Sequence, residues 1–123
     1  MEFEIKEPIR MEEGAYSGVI IRIAYRTEPF EYIDIFIKPI GKDFELKYGC
    51  PSHVSLQSKL GKLLQIFGGK LELGKKIDPE KILVGKKCKF LVQNEETEKG
   101  TFFRIAEGSL KLDASATVIQ KGL

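Results

Sequence analysis

Nowhere does an apolar run approach the ~18 residues that a membrane-spanning helix needs. The start, MEFEIKEPIRMEEG, is acidic where a signal peptide would be basic and then apolar. Both absences point to a cytoplasmic protein with no membrane partner. Cysteine is scarce. Cys50 and Cys88 allow at most one internal bridge, and a chain of this size builds a core without one, so free thiols are expected. Histidine is scarcer still, with His53 alone. Cys50, His53 and Cys88 give three candidate ligands with no second Cys or His pair, short of a closed tetrahedral zinc site. Cys88 also falls in phase with Phe90 and Val92, as a small buried hydrophobe would. No Ser or Cys nucleophile has a base and an orienting group recognisable around His53. Glu12-Glu13 and Glu95-Glu96 lie in expected loops and read as solvated charge. Gly68-Gly69 follows a helix instead of opening one, so it is no phosphate-cradling loop. The residues therefore predict no catalysis, no metal and no cofactor.

Charge of one sign is also in short supply. The formal net charge is only +2, too little to hold nucleic acid by bulk charge, so position decides. Residues 42–90 carry 11 Lys against 5 acids, whereas residues 1–41 carry 5 Lys and Arg against 8 acids. The positive charge sits in the middle third. There is no internal repeat or low-complexity tract, and 123 residues suit one domain.

What is present is β-strand periodicity, interrupted once. AYSGVIIRIAYR, from Ala15 to Arg26, places Val19, Ile21, Ile23 and Tyr25 on one face, and Gly18, Ile20, Arg22, Ala24 and Arg26 on the other. After a turn at Pro29, Phe30 to Pro39 is rich in β-branched and aromatic residues and predicts a hairpin partner. Ile33, Ile35 and Ile37 share one face of it; Phe30, Tyr32, Asp34, Phe36 and Lys38 share the other. A third strand runs from Phe44 to about Gly49. Leu56, Leu60, Leu63, Leu64 and Phe67 then define one face of a helix of about three turns, capped by Ser52 or Ser55 and stopped at Gly68-Gly69. Gly61 within it costs ~1 kcal/mol against Ala, which predicts close backbone packing there. Asp78-Pro79-Glu80 reads as the cap and first residues of a short helical turn through Leu83. Cys88, Phe90 and Val92 alternate with Lys87, Lys89, Leu91 and Gln93 in a fourth strand. Beyond a loop closing at Gly100, Phe103 and Ile105 oppose Phe102 and Arg104 in a fifth. The weakly periodic ends, before about Glu13 and after about Asp113, are expected to be short extensions.

Three strands, a helix and a two-stranded hairpin is the order of the oligonucleotide/oligosaccharide-binding (OB) fold, a mainly β, five-stranded barrel with its helix between strands 3 and 4. Several blocks add to this: Tyr48-Gly49-Cys50-Pro51, Ser58-Lys59-Leu60-Gly61-Lys62-Leu63-Leu64, Gly85-Lys86-Lys87-Cys88 and Gly100-Thr101-Phe102-Phe103-Arg104-Ile105. Together, over roughly residues 14–112, the chain resembles a group of small phage- and archaeal-type proteins. These are taken to be OB-fold single-stranded-DNA-binding or replication-associated proteins. The resemblance implies an OB domain that binds DNA in preference to RNA, with replication proteins as further partners. It departs from many single-strand binders at the end, where ASATVIQKGL lacks the acidic tail that recruits partners.

In such a barrel the outer face of strand 2, with strand 3 and the loops joining strands 1–2 and 4–5, forms the ligand groove. Tyr32, Phe36 and Lys38 then point outward, joined by Arg22 and Arg26 from strand 1 and Lys47 from strand 3. Aromatic rings that stack bases, interleaved with cations that follow phosphates, suit sequence-tolerant single-strand binding. Lys86, Lys87 and Lys89 are candidate phosphate contacts at strand 4, while Lys59 and Lys62 read as a solvated helix face. The competing reading is protein docking. In it, Phe30, Tyr32 and Phe36 pack under the N-terminal extension or in an interface with a second copy or a replication or repair complex, since exposed aromatic patches mark either kind of contact.

Overall fold

The computed structural model describes residues 11–113. The expectations for the chain's two ends, before Met11 and after Asp113, lie outside the described residues. Six strands and two helices follow in the order β1 (Gly14–Arg26), β2 (Tyr32–Pro39), β3 (Leu46–Pro51), α1 (Lys59–Ile66), α2 (Pro79–Leu83), β4 (Lys87–Thr97), β5 (Gly100–Ile105) and β6 (Lys111–Leu112). All the ladders are antiparallel, in the order β3-β2-β1-β4-β5, with β6 also paired to β4. The protein is mainly β.

Two expectations are corrected. Among the described residues the sheet has six strands, not five. After β5 the chain turns at Ala106–Ser109, where the Ala106 N–H bonds to the Leu91 carbonyl and Ser109 Oγ to the Ala106 carbonyl, and returns along β4 as β6. The short helical turn that Asp78-Pro79-Glu80 predicts is present as α2, capped by Asp78, which accepts from the Glu80 N–H. The sheet is also not closed into a barrel: β3 and β5 approach each other, but no ladder joins them.

Helix α1 is shorter than its apolar spacing predicts. Ser58 is the N-cap, its Oγ accepting from the Gly61 N–H at 3.0 Å and the Ser55 N–H at 2.9 Å, while Ser55 Oγ accepts from the Ser58 N–H. These local bonds satisfy the backbone donors that an earlier turn of helix would have used, so the helix starts at Lys59 and Leu56 is left exposed. The close packing expected at Gly61 is present: a Cβ there would lie 1.7 Å from the Ser55 carbonyl oxygen.

The core lies between one face of the sheet and α1. Ile35 and Ile37 of β2 point into it, as their alternation predicts, with Leu46, Tyr48 and Cys50 of β3, Cys88, Phe90 and Val92 of β4, and Leu60, Leu63, Leu64 and Phe67 from the helix segment. Strand β1 departs from simple alternation. Gly18 and Ile20 are buried, yet Arg22, two residues on, is exposed, because the β1–β2 register shifts between Ile20 and Arg22. One extra residue exchanges the faces, since side chains alternate with period two. Before the shift the even-numbered residues enter the core; after it Arg22, Ala24 and Arg26 leave it. The single face expected to hold Gly18, Ile20, Arg22, Ala24 and Arg26 is therefore split, its first two residues inward and its last three outward. Every ring and cation expected outward on β1 and β2 stays outward.

Candidate functional site

Ladder partners share a face, so the register assembles the outer surface row by row. Arg22 on β1 pairs with Phe36 on β2, which pairs with Lys47 on β3; Ala24 pairs with Asp34 and then Gly49; Arg26 pairs with Tyr32 and then Pro51. A further row runs from Lys87 on β4 through Val19 to Lys38, and the next holds Lys89, flanked by Ser17 and by Lys111 of β6. Eight of the nine expected residues, Arg22, Arg26, Tyr32, Phe36, Lys38, Lys47, Lys87 and Lys89, thus lie on one continuous sheet face. Lys86 lies just before β4. Its backbone is fixed, the N–H bonding to the Leu83 carbonyl and the carbonyl accepting from Ile20, while its side chain is exposed.

Within this face the two arginines have defined places. Arg22 Cζ stands 3.7 Å from the Phe36 ring centroid, van der Waals contact for stacked groups, and its terminal nitrogen bonds to Glu45 at 2.9 Å. Arg26 Cζ stands 4.8 Å from the Tyr32 ring, and its Nε and one terminal nitrogen donate to the two oxygens of Asp34 at 2.9 and 3.1 Å. Asp34 is 5% exposed despite facing outward. Gly49 allows this, because a Cβ there would press within 3.2 Å of Asp34 Oδ1 and 3.4 Å of the Tyr32 ring. The bidentate bond from Arg26 holds the Asp34 carboxyl below its ordinary pKa against the opposing effect of burial. The charge pattern therefore differs from a plain reading of composition. The Asp34 negative charge is neutralised in place, and Lys38, Lys47, Lys87 and Lys89 have no ion-pair partner among the described residues.

Searches against protein-family models and curated protein sequences find no match to this chain. The face itself must therefore carry any functional reading.

Sequence periodicity placed two features wrongly or not at all. Lys59, expected on a solvated helix face, donates to the Gly49 carbonyl at 2.8 Å, bonds to Glu107 at 2.7 Å and lies over the Tyr48 ring. Burial disfavours its charge, but Glu107, Tyr48 and Cys50 outweigh that effect and raise its pKa. It ties β3 to the turn after β5, where the Gly108 N–H also donates to Tyr48 Oη. Lys111 joins Lys89 only because β6 forms, which its two-residue length hid. Cys50 and Cys88 are free and fully buried, their thiols pushed by burial up to about 11 and about 12. Among the described residues no group of three or more His, Cys, Asp or Glu could hold a metal ion, and no helix is long and apolar enough to cross a membrane.

Proposed function

We propose that this protein is a non-catalytic binder of single-stranded nucleic acid, with bases stacking at Tyr32 and Phe36 and phosphates meeting Lys38, Lys47, Lys87 and Lys89. The observation that carries the reading is the outer face of β1, β2 and β3, where the part-buried rings of Tyr32 and Phe36 lie beside Lys38 and Lys47, which have no ion-pair partner among the described residues, and the carboxylate of Asp34 between the rings is neutralised. An open OB-type barrel is the architecture we assign. The ladder order β3-β2-β1-β4-β5, the nearness of β3 to β5, and a helix following β3 all support it. Preference for DNA over RNA rests on the sequence resemblance alone.

A fluorescence-anisotropy titration with single-stranded DNA, single-stranded RNA and duplex DNA at several salt concentrations tests the reading. Four phosphate contacts predict a log–log salt slope of about −3 for single strands, at ~0.7 ions released per contact. A slope near zero removes the phosphate contacts, and preference for duplex removes the stacking. One observation favours a second reading: Tyr25 and Phe30, beside the β1–β2 turn, are 61% and 69% exposed. If they dock a second copy or another replication protein, size-exclusion chromatography will show a salt-stable dimer or complex and the titration will show no oligonucleotide binding.

A further inference from the structure

The two arginines on the outer face repeat one arrangement. Each leaves β1, lies over the aromatic ring directly across the ladder on β2, and is held by a carboxylate: Arg22 with Phe36 and Glu45, Arg26 with Tyr32 and Asp34. Four residues separate the copies on both strands, which at a ~3.3 Å rise per residue puts them ~13 Å apart. Each guanidinium lies over its ring, and its carboxylate takes part of its N–H edge: one terminal nitrogen of Arg22, and Nε with one terminal nitrogen of Arg26. The Arg22 and Arg26 side chains are still 53% and 36% exposed, so the planar side away from the ring is within reach of a ligand.

A phosphate reaching the N–H edge would meet the Glu45 or Asp34 carboxylate already bonded there. A base needs only a flat surface, and a guanidinium plane provides one. We infer that Arg22 and Arg26 are base-stacking platforms rather than phosphate ligands, and that they take two non-adjacent bases of one extended strand. Stacked neighbours lie only ~3.4 Å apart along a strand, so a ~13 Å separation passes over at least one nucleotide. Phe36 and Tyr32, where the reading above places the bases, act beneath them as supports, each base meeting its ring through the guanidinium that lies over it. The division of labour follows: Lys38, Lys47, Lys87 and Lys89 meet the backbone, and the two arginines meet bases.

This inference rests on the single-strand reading above, and its test separates the two. Arg22→Lys keeps the charge and removes the plane, at a side chain exposed enough that the fold persists; Arg26→Lys is the independent second variant. Binding is measured on a labelled oligothymidylate and on the same sugar-phosphate chain made abasic. The expected result is affinity for oligothymidylate lower by about fivefold or more, the lower end of what one stacked base contributes, with the abasic strand bound as the parent binds it and the salt slope unchanged. Equal affinity of parent and variants for oligothymidylate overturns the platform role. So does an equal loss on both strands, which would mark the arginines as phosphate ligands while leaving single-strand binding intact. Failure of the parent to bind oligothymidylate overturns both readings.

Discussion

Strand β2 places a core residue and a site residue side by side, so a pair of substitutions there separates folding from binding. Ile35 is fully buried, paired across the ladders with Ile23 and Tyr48. Truncating it to Ala leaves a cavity beneath both neighbours and is expected to cost ~2–5 kcal/mol. At ~4 °C per kcal/mol for a domain near this size, the Tm should fall by about 8–20 °C. Phe36, the next residue, has Arg22 on one side and solvent near it on the other. Phe36→Ala forfeits the cation–π contact, ~0.5–1 kcal/mol at an exposed site, and should lower the Tm by only about 2–4 °C. Its effect on binding runs the other way: a loss of ~1–3 kcal/mol, or about 5- to 150-fold in Kd, against near-parent affinity for the folded fraction of Ile35→Ala. Scanning calorimetry and an anisotropy titration on the same preparations measure both. The assignment of faces is refuted if Phe36→Ala unfolds the protein, or if Ile35→Ala weakens binding in the molecules still folded.

Gly61→Ala should destabilise the protein although Ala is the better helix former by ~1 kcal/mol, because the new Cβ meets the Ser55 carbonyl; urea unfolding that shows equal or greater stability would contradict the packing. For Asp34, whose pKa is lowered in the folded state by Arg26, stabilisation is present above the unfolded value of ~3.9 and is lost as pH falls through the folded value. The stability gap between the parent and Asp34→Asn should therefore be wider at pH 7 than at pH 3, and a gap independent of pH would show that the carboxylate charge is not what Arg26 holds. Cys50 and Cys88, buried and with raised pKa, should react with a thiol reagent at neutral pH only as fast as the protein opens; rapid modification of the native protein would place them outside the core.

The parts of this structure that the sequence made legible are those ruled by a simple period. Ile35 and Ile37 against Tyr32 and Phe36, and Cys88, Phe90 and Val92 against Lys87 and Lys89, lie on the sides that alternation assigned. What escaped it was set by contacts distant in sequence or by a break in period. The register shift after Ile20 redirects β1, and a strict two-residue pattern cannot contain it. Alternation places Asp34 on the outer face with the rings; its neutralisation depends on Arg26, eight residues away, and on the missing Cβ of Gly49. Lys59 fitted the polar side of a helix, and only the approach of β3 to the turn at Glu107–Gly108 reveals its role as a tie. The start of α1 was misplaced because the Ser55 and Ser58 side chains compete locally with the helix, while the spacing of leucines continues upstream.

The central claim is that the outer face of β1, β2 and β3 is where a single strand binds, and amide chemical-shift mapping tests it most directly. Isotope-labelled protein titrated with oligothymidylate should show its largest shifts at Arg22, Arg26, Tyr32, Phe36, Lys38 and Lys47, with smaller ones at Lys87 and Lys89 and little change at Leu60, Leu63 and Leu64 of α1. Shifts confined to α1 and the loop after it, or none at saturating oligonucleotide, would contradict the account.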